Sequence, residues 1–159
     1  MERSPVRDAA AADLAAVAAV YEHEALHGIA TFDAEGRTED FWAQKLGGPL
    51  LVAEVAGSVA GFAYASTYRP RPAYDRTREV SVYLAADARG QGVGRALYAE
   101  LLDRLRTGGV HTALAVIALP NEASVRLHES FGFVHRGTIR EVGWKFGHWI
   151  DTGFWQATL

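Results

Sequence analysis

The chain has 159 residues, and its 16 lysines and arginines against 19 acidic residues give a formal net charge of −3. It has no cysteine, which excludes disulfides, cysteine-ligated metal centres and thiol nucleophiles. The apolar stretches are shorter than the ~20 residues of a membrane span, the start does not resemble a signal peptide, and no long basic stripe suggests a nucleic-acid partner. We expect one soluble, cytoplasmic domain over residues 1–159, with no nucleic-acid or membrane partner.

The first part of the chain predicts a strand followed by two helices. Val6 lies in a short strand candidate, and Asp13 is placed to cap a helix that ends near Gly28. Thr38 is placed to cap a second, shorter helix that reaches Leu46, just before a Gly-Gly-Pro run that stops it.

Strands dominate the middle of the chain. Residues 50–56 and 59–67 are β-like runs on either side of Gly57-Ser58, which predicts a two-residue hairpin turn. A loop rich in proline and arginine follows over residues 68–78. Residues 79–85 then alternate apolar and polar side chains, as a strand does.

Helices and strands alternate in the second half. The first of these elements is an amphipathic helix whose apolar stripe is Val93, Leu97, Leu101 and Leu105. Residues 112–119 are a largely apolar strand. Asn121 is placed to cap a further helix that Gly132 ends, and Phe133 begins a return strand. Residues 140–159 predict another hairpin, so the whole pattern indicates a mixed α/β fold.

A glycine-rich turn lies between a predicted strand and the amphipathic helix. Gly90, Gly92 and Gly94 allow positive φ and close backbone approach, and the helix that follows presents free N–H groups. Such a turn suits a phosphate or pyrophosphate. No Gly-Lys-Ser/Thr follows, which excludes a Walker P-loop, and Arg95 stands where a Rossmann turn needs its third glycine. Spacing alone leaves an anion site and a plain turn equally open.

Two motifs in this order resemble the GNAT superfamily of N-acetyltransferases. The first is Arg89-x-x-Gly92-x-Gly94, and the second is the run from Asn121 to Phe133, NEASVRLHESFGF. The resemblance covers nearly the whole chain. It implies a central, mostly antiparallel, twisted sheet flanked by helices.

Further segments resemble the phosphinothricin and methionine sulfoximine acetyltransferase branch of that superfamily. They are RPRPAY from Arg69, EVSVY from Glu79 and REVGWKFGHW from Arg140. The branch implies direct transfer of acetyl from acetyl-CoA to the α-amino group of a small amino-acid-like acceptor, without a metal. It also implies a homodimer, by analogy with relatives.

The resemblance assigns a cofactor-binding role to a set of residues along the chain. Backbone N–H groups of residues 90–95 would bind the pyrophosphate, and residues 82–84 would pair with the pantetheine arm. The residues implied to contact acetyl-CoA are Val82, Tyr83, Leu84, Arg89, Gly90, Gln91, Gly92, Val93, Gly94, Arg95, Asn121 and Ser130. Asn121 is equally a helix cap, and Ser130 equally an exposed polar residue.

Two residues are candidates for proton transfer. Aminolysis of a thioester needs a neutral amine, so an ammonium acceptor must lose a proton. Glu79, on the strand that leads into the cofactor segment, is the candidate base, and the alternative is an ordinary solvated carboxylate. His128 stands where many relatives have a tyrosine, so it is the candidate general acid, or else it orients its neighbours.

The acceptor is expected to meet arginines. Arg69 and Arg71 can bind a carboxylate or phosphinate bidentately, and two prolines stiffen their loop. Glu79 and Ser81 complete the predicted acceptor site. Two other functions stay open: an acetyltransferase acting on a protein N-terminus, peptide or polyamine, and a non-catalytic acyl-CoA-binding module.

Overall fold

The computed structural model describes residues 6–159, in which seven strands form a single sheet. The strands are β1 Val6–Asp8, β2 Leu50–Val55, β3 Ser58–Thr67, β4 Thr77–Leu84, β5 Thr112–Leu119, β6 Val134–Lys145 and β7 His148–Thr158. Their order across the sheet is β1-β2-β3-β4-β5-β7-β6. Only β4 and β5 are parallel neighbours; the other pairs are antiparallel. The predicted mixed, mostly antiparallel architecture is confirmed.

Four α-helices flank this sheet within the described residues. They are α1 Leu14–His27, α2 Glu39–Ala43, α3 Val93–Thr107 and α4 Glu122–Ser130. The helices α1 and α2 cover one face, where Trp42 and Phe62 are fully buried. The helix α3 covers the other face through its predicted apolar stripe. No helix within residues 6–159 combines the length and apolar character needed to cross a membrane.

The first hairpin turn lies one residue earlier than predicted. Ser58 already pairs with Val55, so the turn residues are Ala56 and Gly57. Both have positive φ, 51° and 80°, which is the backbone geometry that matches the twist of a two-residue hairpin. The prediction was wrong because it placed glycine at the first turn position rather than the second.

Asp13 precedes α1 as predicted, but its carboxylate makes no capping bond to that helix. It instead accepts hydrogen bonds from the Arg7 guanidinium at 2.7 and 3.0 Å and from the Ala10 backbone N–H at 2.8 Å. These bonds, led by the one from Arg7, hold the pKa of Asp13 below its usual value. Asp13 therefore ties β1 to the start of α1. The second helix is also shorter than predicted, since it ends at Ala43.

The sheet opens between its two parallel strands. Residues 77–79 of β4 pair with residues 112–114 of β5, and beyond this point the two strands separate. The strand β4 continues beside β3 as far as Leu84, while β5 continues beside β7 as far as Leu119. The separation leaves a cleft, and one edge of β4 faces it without a partner strand.

Candidate active site

The cleft between β4 and β5 contains two adjoining cavities that share Ser81 and Tyr83. The helix-side cavity extends toward α3 and α4, and Tyr98 and His128 line it. The loop-side cavity extends under residues 29–32, which follow α1, and Glu79 lines it. The alternation of side chains along β4 explains this division. Val80 and Val82 point into the core beneath α3, while Glu79, Ser81 and Tyr83 point to the opposite face and line the loop-side cavity.

Glu79 is half-buried on the wall of the loop-side cavity. Within residues 6–159 no lysine, arginine or histidine nitrogen lies within 4 Å of its carboxylate. Burial raises the pKa of Glu79 above its usual value. A carboxylate of raised pKa is a stronger base than an exposed one.

His128 is buried at 3% exposure and bonded at both ring nitrogens. Its Nδ1 lies 2.7 Å from the Ser124 carbonyl oxygen, which can only accept, so Nδ1 carries the proton. Its Nε2 lies 2.8 Å from the Tyr98 hydroxyl, and in the neutral ring with its proton on Nδ1 this nitrogen accepts from that hydroxyl. Burial lowers the pKa of His128, so the imidazole is neutral at neutral pH and holds no proton on the nitrogen bonded to Tyr98.

The glycine turn and the start of α3 form a cradle of backbone N–H groups. Gly90 and Gly92 have φ of 76° and 79°, and a Cβ on either would meet open space. The first helical bond runs from the Ala96 N–H to the Gly92 carbonyl, so the amides of the preceding helical residues lie at the free, positive end of α3. The local geometry fits a pyrophosphate.

The side chains around this turn are exposed and held in place. Arg89 pairs with Glu24 of α1 at 3.2 Å, and Gln91 donates to the Asp87 carbonyl at 2.8 Å. Arg95 donates to the Ser130 hydroxyl at 3.1 Å, so the turn and the end of α4 meet. Val93 is different: its side chain is buried in the core, which leaves only its backbone for a ligand.

Gly94 allows α3 to pack closely on its neighbours. It is buried within the first turn of the helix. A Cβ there would lie 3.4 Å from a methyl of Leu127 on α4 and 3.6 Å from one of Leu84 on β4. The glycine therefore sets the distance between the cradle and the open edge of β4.

Asn121 and residues 82–84 also lie where the predictions need them. The Asn121 side chain accepts from the Ser124 N–H at 3.1 Å, which confirms the predicted cap, and the same residue lines the helix-side cavity. Val82 and Tyr83 line that cavity too. The backbone of residues 82–84 belongs to the unpaired edge of β4, where an extended ligand can add hydrogen bonds.

Arg69 and Arg71 do not line either cavity. Both are exposed in the loop after β3, and Arg69 lies over the Tyr68 ring at 5.1 Å. The loop leaves the sheet at Thr67, whose partner Arg78 directly precedes Glu79. The two arginines therefore lie at the end of β4 that carries Glu79, outside the enclosed part of the cleft.

Several cavity residues escaped prediction. Tyr98 lines the helix-side cavity and Tyr21 and Tyr64 line the loop-side cavity, and none of the three was among the predicted site residues. Their hydroxyls make the walls polar: Tyr21 bonds Thr31 at 2.8 Å on the loop-side wall. The sequence signal that could have indicated a polar wall was the presence of tyrosine at apolar positions, since a buried tyrosine hydroxyl usually has a polar partner.

Residues 6–159 hold no cluster of metal-binding side chains. No group of three or more histidine, aspartate or glutamate side chains there could hold an ion. His23 and His27 lie one helical turn apart with their rings 4.8 Å from each other, yet they have no third ligand among the described residues.

Comparison with known proteins decides the family. Residues 17–133 match the model of the Acetyltransferase (GNAT) family. The chain belongs to the GNAT family of acetyltransferases. This confirms the predicted family, its fold and the assignment as an enzyme. The cleft, the cradle and the two motifs are thus features of a GNAT acetyltransferase.

Individual relatives of this GNAT chain are similar along nearly its whole length. A phosphinothricin N-acetyltransferase of Streptomyces viridochromogenes is 44% identical, over 98% of this chain and 88% of the relative. An L-methionine sulfoximine/L-methionine sulfone acetyltransferase of Salmonella typhimurium is 39% identical, over 97% and 94%. The crystal structure of a phosphinothricin acetyltransferase from Sinorhizobium meliloti in complex with AcCoA superposes with a TM-score of 0.94, at 38% identity, over 98% of this chain and 88% of that one.

Thr152 of β7 carries an unsatisfied hydroxyl on the wall of the loop-side cavity. The residue is 5% exposed, and its Oγ1 has no hydrogen-bond partner within residues 6–159. Burying an unpaired hydroxyl costs roughly 1–3 kcal/mol, so Thr152→Val should raise the free energy of unfolding by about 1 kcal/mol. Urea denaturation measures this change. The control Thr158→Val, at an exposed site of the same strand, should change little, and a destabilised Thr152→Val would contradict the unpaired state.

Proposed function

We propose that this protein transfers acetyl from acetyl-CoA to the α-amino group of a small amino-acid-like acceptor, of the phosphinothricin, methionine sulfoximine or methionine sulfone type. The single observation that carries the proposal is the cleft itself. On its helix side the cleft has the unpaired backbone edge of residues 82–84 and, beyond it, the amides at the start of α3. In the adjoining loop-side cavity it has the half-buried carboxylate of Glu79. The names of the relatives support the acceptor class.

Acetyl-CoA would lie along the helix side of the cleft. The amides at the start of α3 would bind its pyrophosphate, with Arg95 and Ser130 beside them. The free edge of residues 82–84 would pair with its extended arm, and Asn121 would contact it from the start of α4. When bound, it supplies the activated acetyl group.

Glu79 would act as the base for the acceptor. The overall transfer converts an ammonium and a thioester into an amide, a thiol and one released proton, and Glu79 is the residue placed to take that proton. Burial raises the pKa of Glu79, which makes its carboxylate a stronger base than an exposed glutamate. The loop-side cavity, which it shares with Ser81, would hold the acceptor's α-amine.

His128 would orient Tyr98 rather than act as a proton donor. The general-acid role predicted for it requires a proton on Nε2, and that nitrogen accepts the Tyr98 hydroxyl bond. The neutral ring fixes the direction of this hydroxyl at the wall of the helix-side cavity. The assignment predicts that His128→Gln lowers kcat less than loss of the base does.

A thiol-release assay tests the proposed function. Purified protein is incubated with acetyl-CoA and a panel of α-amino acids that includes phosphinothricin, methionine sulfoximine and methionine sulfone, with spermidine and a short peptide as comparisons. We expect acceptor-dependent release with one or more of the three amino-acid analogues. Release with spermidine or the peptide alone would overturn the acceptor class, and no release with any amine would favour a non-catalytic module.

Arg71 is predicted to serve acceptor affinity alone. Arg71 is exposed in the loop between β3 and β4, and a guanidinium that reaches the acceptor from this loop would bind its carboxylate or phosphinate without touching the cofactor side. Arg71→Ala should raise the acceptor KM by about tenfold or more and leave the acetyl-CoA KM within about twofold. Steady-state kinetics with each substrate varied measure both. Arg126→Ala, at an exposed arginine of α4, is the matched control, and unchanged acceptor kinetics in Arg71→Ala would refute the role.

We also propose a cytoplasmic homodimer that uses the C-terminal hairpin. Trp144 of β6, Phe146 of the turn and Trp149 of β7 are 55–60% exposed, and exposed aromatic patches of this kind are typical of interfaces. The double variant Trp144→Ser/Trp149→Ser should shift the protein from dimer to monomer in analytical ultracentrifugation. A wild-type protein that sediments as a monomer would contradict the proposal. Cell fractionation tests the location.

A further inference from the structure

The segment of residues 28–33 forms one wall of the loop-side cavity without regular secondary structure. It follows the end of α1 and precedes α2, and Thr31 and Phe32 line the cavity. A loop has no ladder of backbone bonds to fix it. Its position therefore depends on contacts with the rest of the fold, and two of these contacts are made by the distant strand β6.

Lys145 of β6 holds the backbone of this segment. Its ammonium donates to the Thr31 carbonyl oxygen at 2.8 Å, a bond between residues 114 positions apart. Lys145 is only 9% exposed and Thr31 8%. Burial of an ammonium is unfavourable and lowers the pKa of Lys145. The Thr31 carbonyl is therefore held by a type of side chain that is costly to bury.

Gly143 of β6 provides the surface for the neighbouring side chain. The Phe32 ring lies so close to the Gly143 backbone that a Cβ on the glycine would be 2.5 Å from the ring's Cζ and 2.6 Å from its Cε2. Gly143 is buried, and its backbone does not have positive φ. The absence of a side chain there thus serves close packing of Phe32, rather than a turn.

The opposite side of the segment is held by α1 and by the approach to α2. The Thr31 hydroxyl bonds Tyr21, whose own hydroxyl donates to Asp33. Asp33 in turn pairs with Arg37 at 2.9 Å. The Tyr21 side fixes the side chains of the segment, while Lys145 and Gly143 fix its backbone and its aromatic ring against the sheet.

We propose that Lys145 and Gly143 are positioning residues for the acceptor, because they set the wall that Thr31 and Phe32 present to the loop-side cavity. The proposal rests on the proposed function, in which that cavity holds the acceptor. It makes the C-terminal hairpin part of acceptor selection, although neither residue lines the cavity. The helix-side cavity meets this segment only at Ala30, whereas Thr31 and Phe32 line the loop-side cavity alone, so the acceptor side should respond more strongly than the cofactor side.

The test compares two substitutions on β6 with a matched control. Lys145→Met removes the bond to Thr31 at similar side-chain length, and Gly143→Ala displaces the Phe32 ring. Gly137→Ala is the control on the same strand, because a Cβ there meets nothing within 4 Å. The measurements are the KM for acceptor and for acetyl-CoA, kcat, the thermal midpoint, and hydrogen exchange of the amides of residues 28–33.

We expect both substitutions to raise the acceptor KM about tenfold, with the acetyl-CoA KM and kcat within about twofold. Exchange in residues 28–33 should become faster in both variants and stay unchanged in Gly137→Ala. An unchanged acceptor KM with normal exchange would overturn the proposal, and so would an equal rise in both KM values. A wild-type protein that acetylates no amine would instead refute the proposed function, and the exchange result would still report on the wall.

Discussion

Replacing Glu79 with glutamine should lower kcat by about 10²–10³, because a general base contributes a rate factor of this order to a reaction such as the transfer of acetyl to an amine. The amide keeps the shape of the carboxylate and loses only its ability to take a proton. The acceptor KM should change far less, since the cavity wall is preserved. Initial rates of thiol release measure the effect. Glu54→Gln, at a partly exposed carboxylate of β2, is the control and should retain wild-type activity.

The same residue sets the pH dependence of the reaction. Because burial raises the pKa of Glu79, kcat/KM should fall as pH decreases through that raised value, above the range of an exposed glutamate. The Glu79→Gln variant should lack this limb. A variant that keeps most of its rate and the same acidic limb would show that another group is the base.

The folding stability should depend on pH in the opposite sense to kcat/KM, because it should fall as pH rises. A carboxyl whose pKa is raised by folding contributes stability below its unfolded pKa of about 4.3 and loses that contribution as pH rises through the folded value. Glu79→Gln should therefore be more stable than the wild type at pH 7, with the difference vanishing near pH 4. Thermal unfolding at the two pH values measures this change, and a destabilised variant at pH 7 would contradict the burial of a charged carboxylate.

Trp42→Ala should cost about 3–5 kcal/mol of folding free energy, a large share of the roughly 5–15 kcal/mol of a typical domain. Trp42 is fully buried and makes edge contacts with Tyr21, Phe62 and Tyr64 at ring-centroid distances of 5.0–5.4 Å. Two of these rings line the loop-side cavity. The substitution should therefore also raise the acceptor KM, since the wall loses its support.

Two further variants make the Trp42 result interpretable. Trp42→Phe keeps most of the aromatic volume and removes an indole N–H that has no partner among the described residues, so it should cost much less than the alanine. Leu26→Ala, at a leucine of α1 that is 47% exposed, should stay within about 0.5 kcal/mol. Equal losses in Trp42→Ala and Leu26→Ala in urea denaturation would contradict the burial of Trp42 in the core.

Local patterns predicted the elements of the fold well. The stripe at Leu97 and Leu101 gave α3 its buried face, Asn121 caps α4, and the alternation after Glu79 marks a strand with two different faces. These features depend on residues a few positions apart, for which helical and strand periodicity are direct physical consequences of geometry. The turn at Ala56 and the short α2 were misplaced because boundaries depend on neighbours in space.

Long-range partners explain what the sequence did not reveal about the site. Tyr98 and His128 are 30 residues apart, and Lys145 and Thr31 are 114 apart. No local pattern relates such residues, since only the sheet order brings them together. His128 illustrates the consequence: its place in the second motif suggested an acid, whereas its burial, its bond to the Ser124 carbonyl and its contact with Tyr98 favour a neutral ring that orients that hydroxyl.

The most direct test of the account is where the acetyl group ends. Wild-type protein would be given acetyl-CoA labelled with ¹³C in its acetyl carbonyl and methionine sulfoximine, which has both an α-amine and a sulfoximine nitrogen. We expect NMR to show the label in an amide at the α-nitrogen, formed at the rate of thiol release and absent with Glu79→Gln at equal times. Label on the sulfoximine nitrogen, on the protein, or only in free acetate would contradict direct transfer to an α-amine in this cleft.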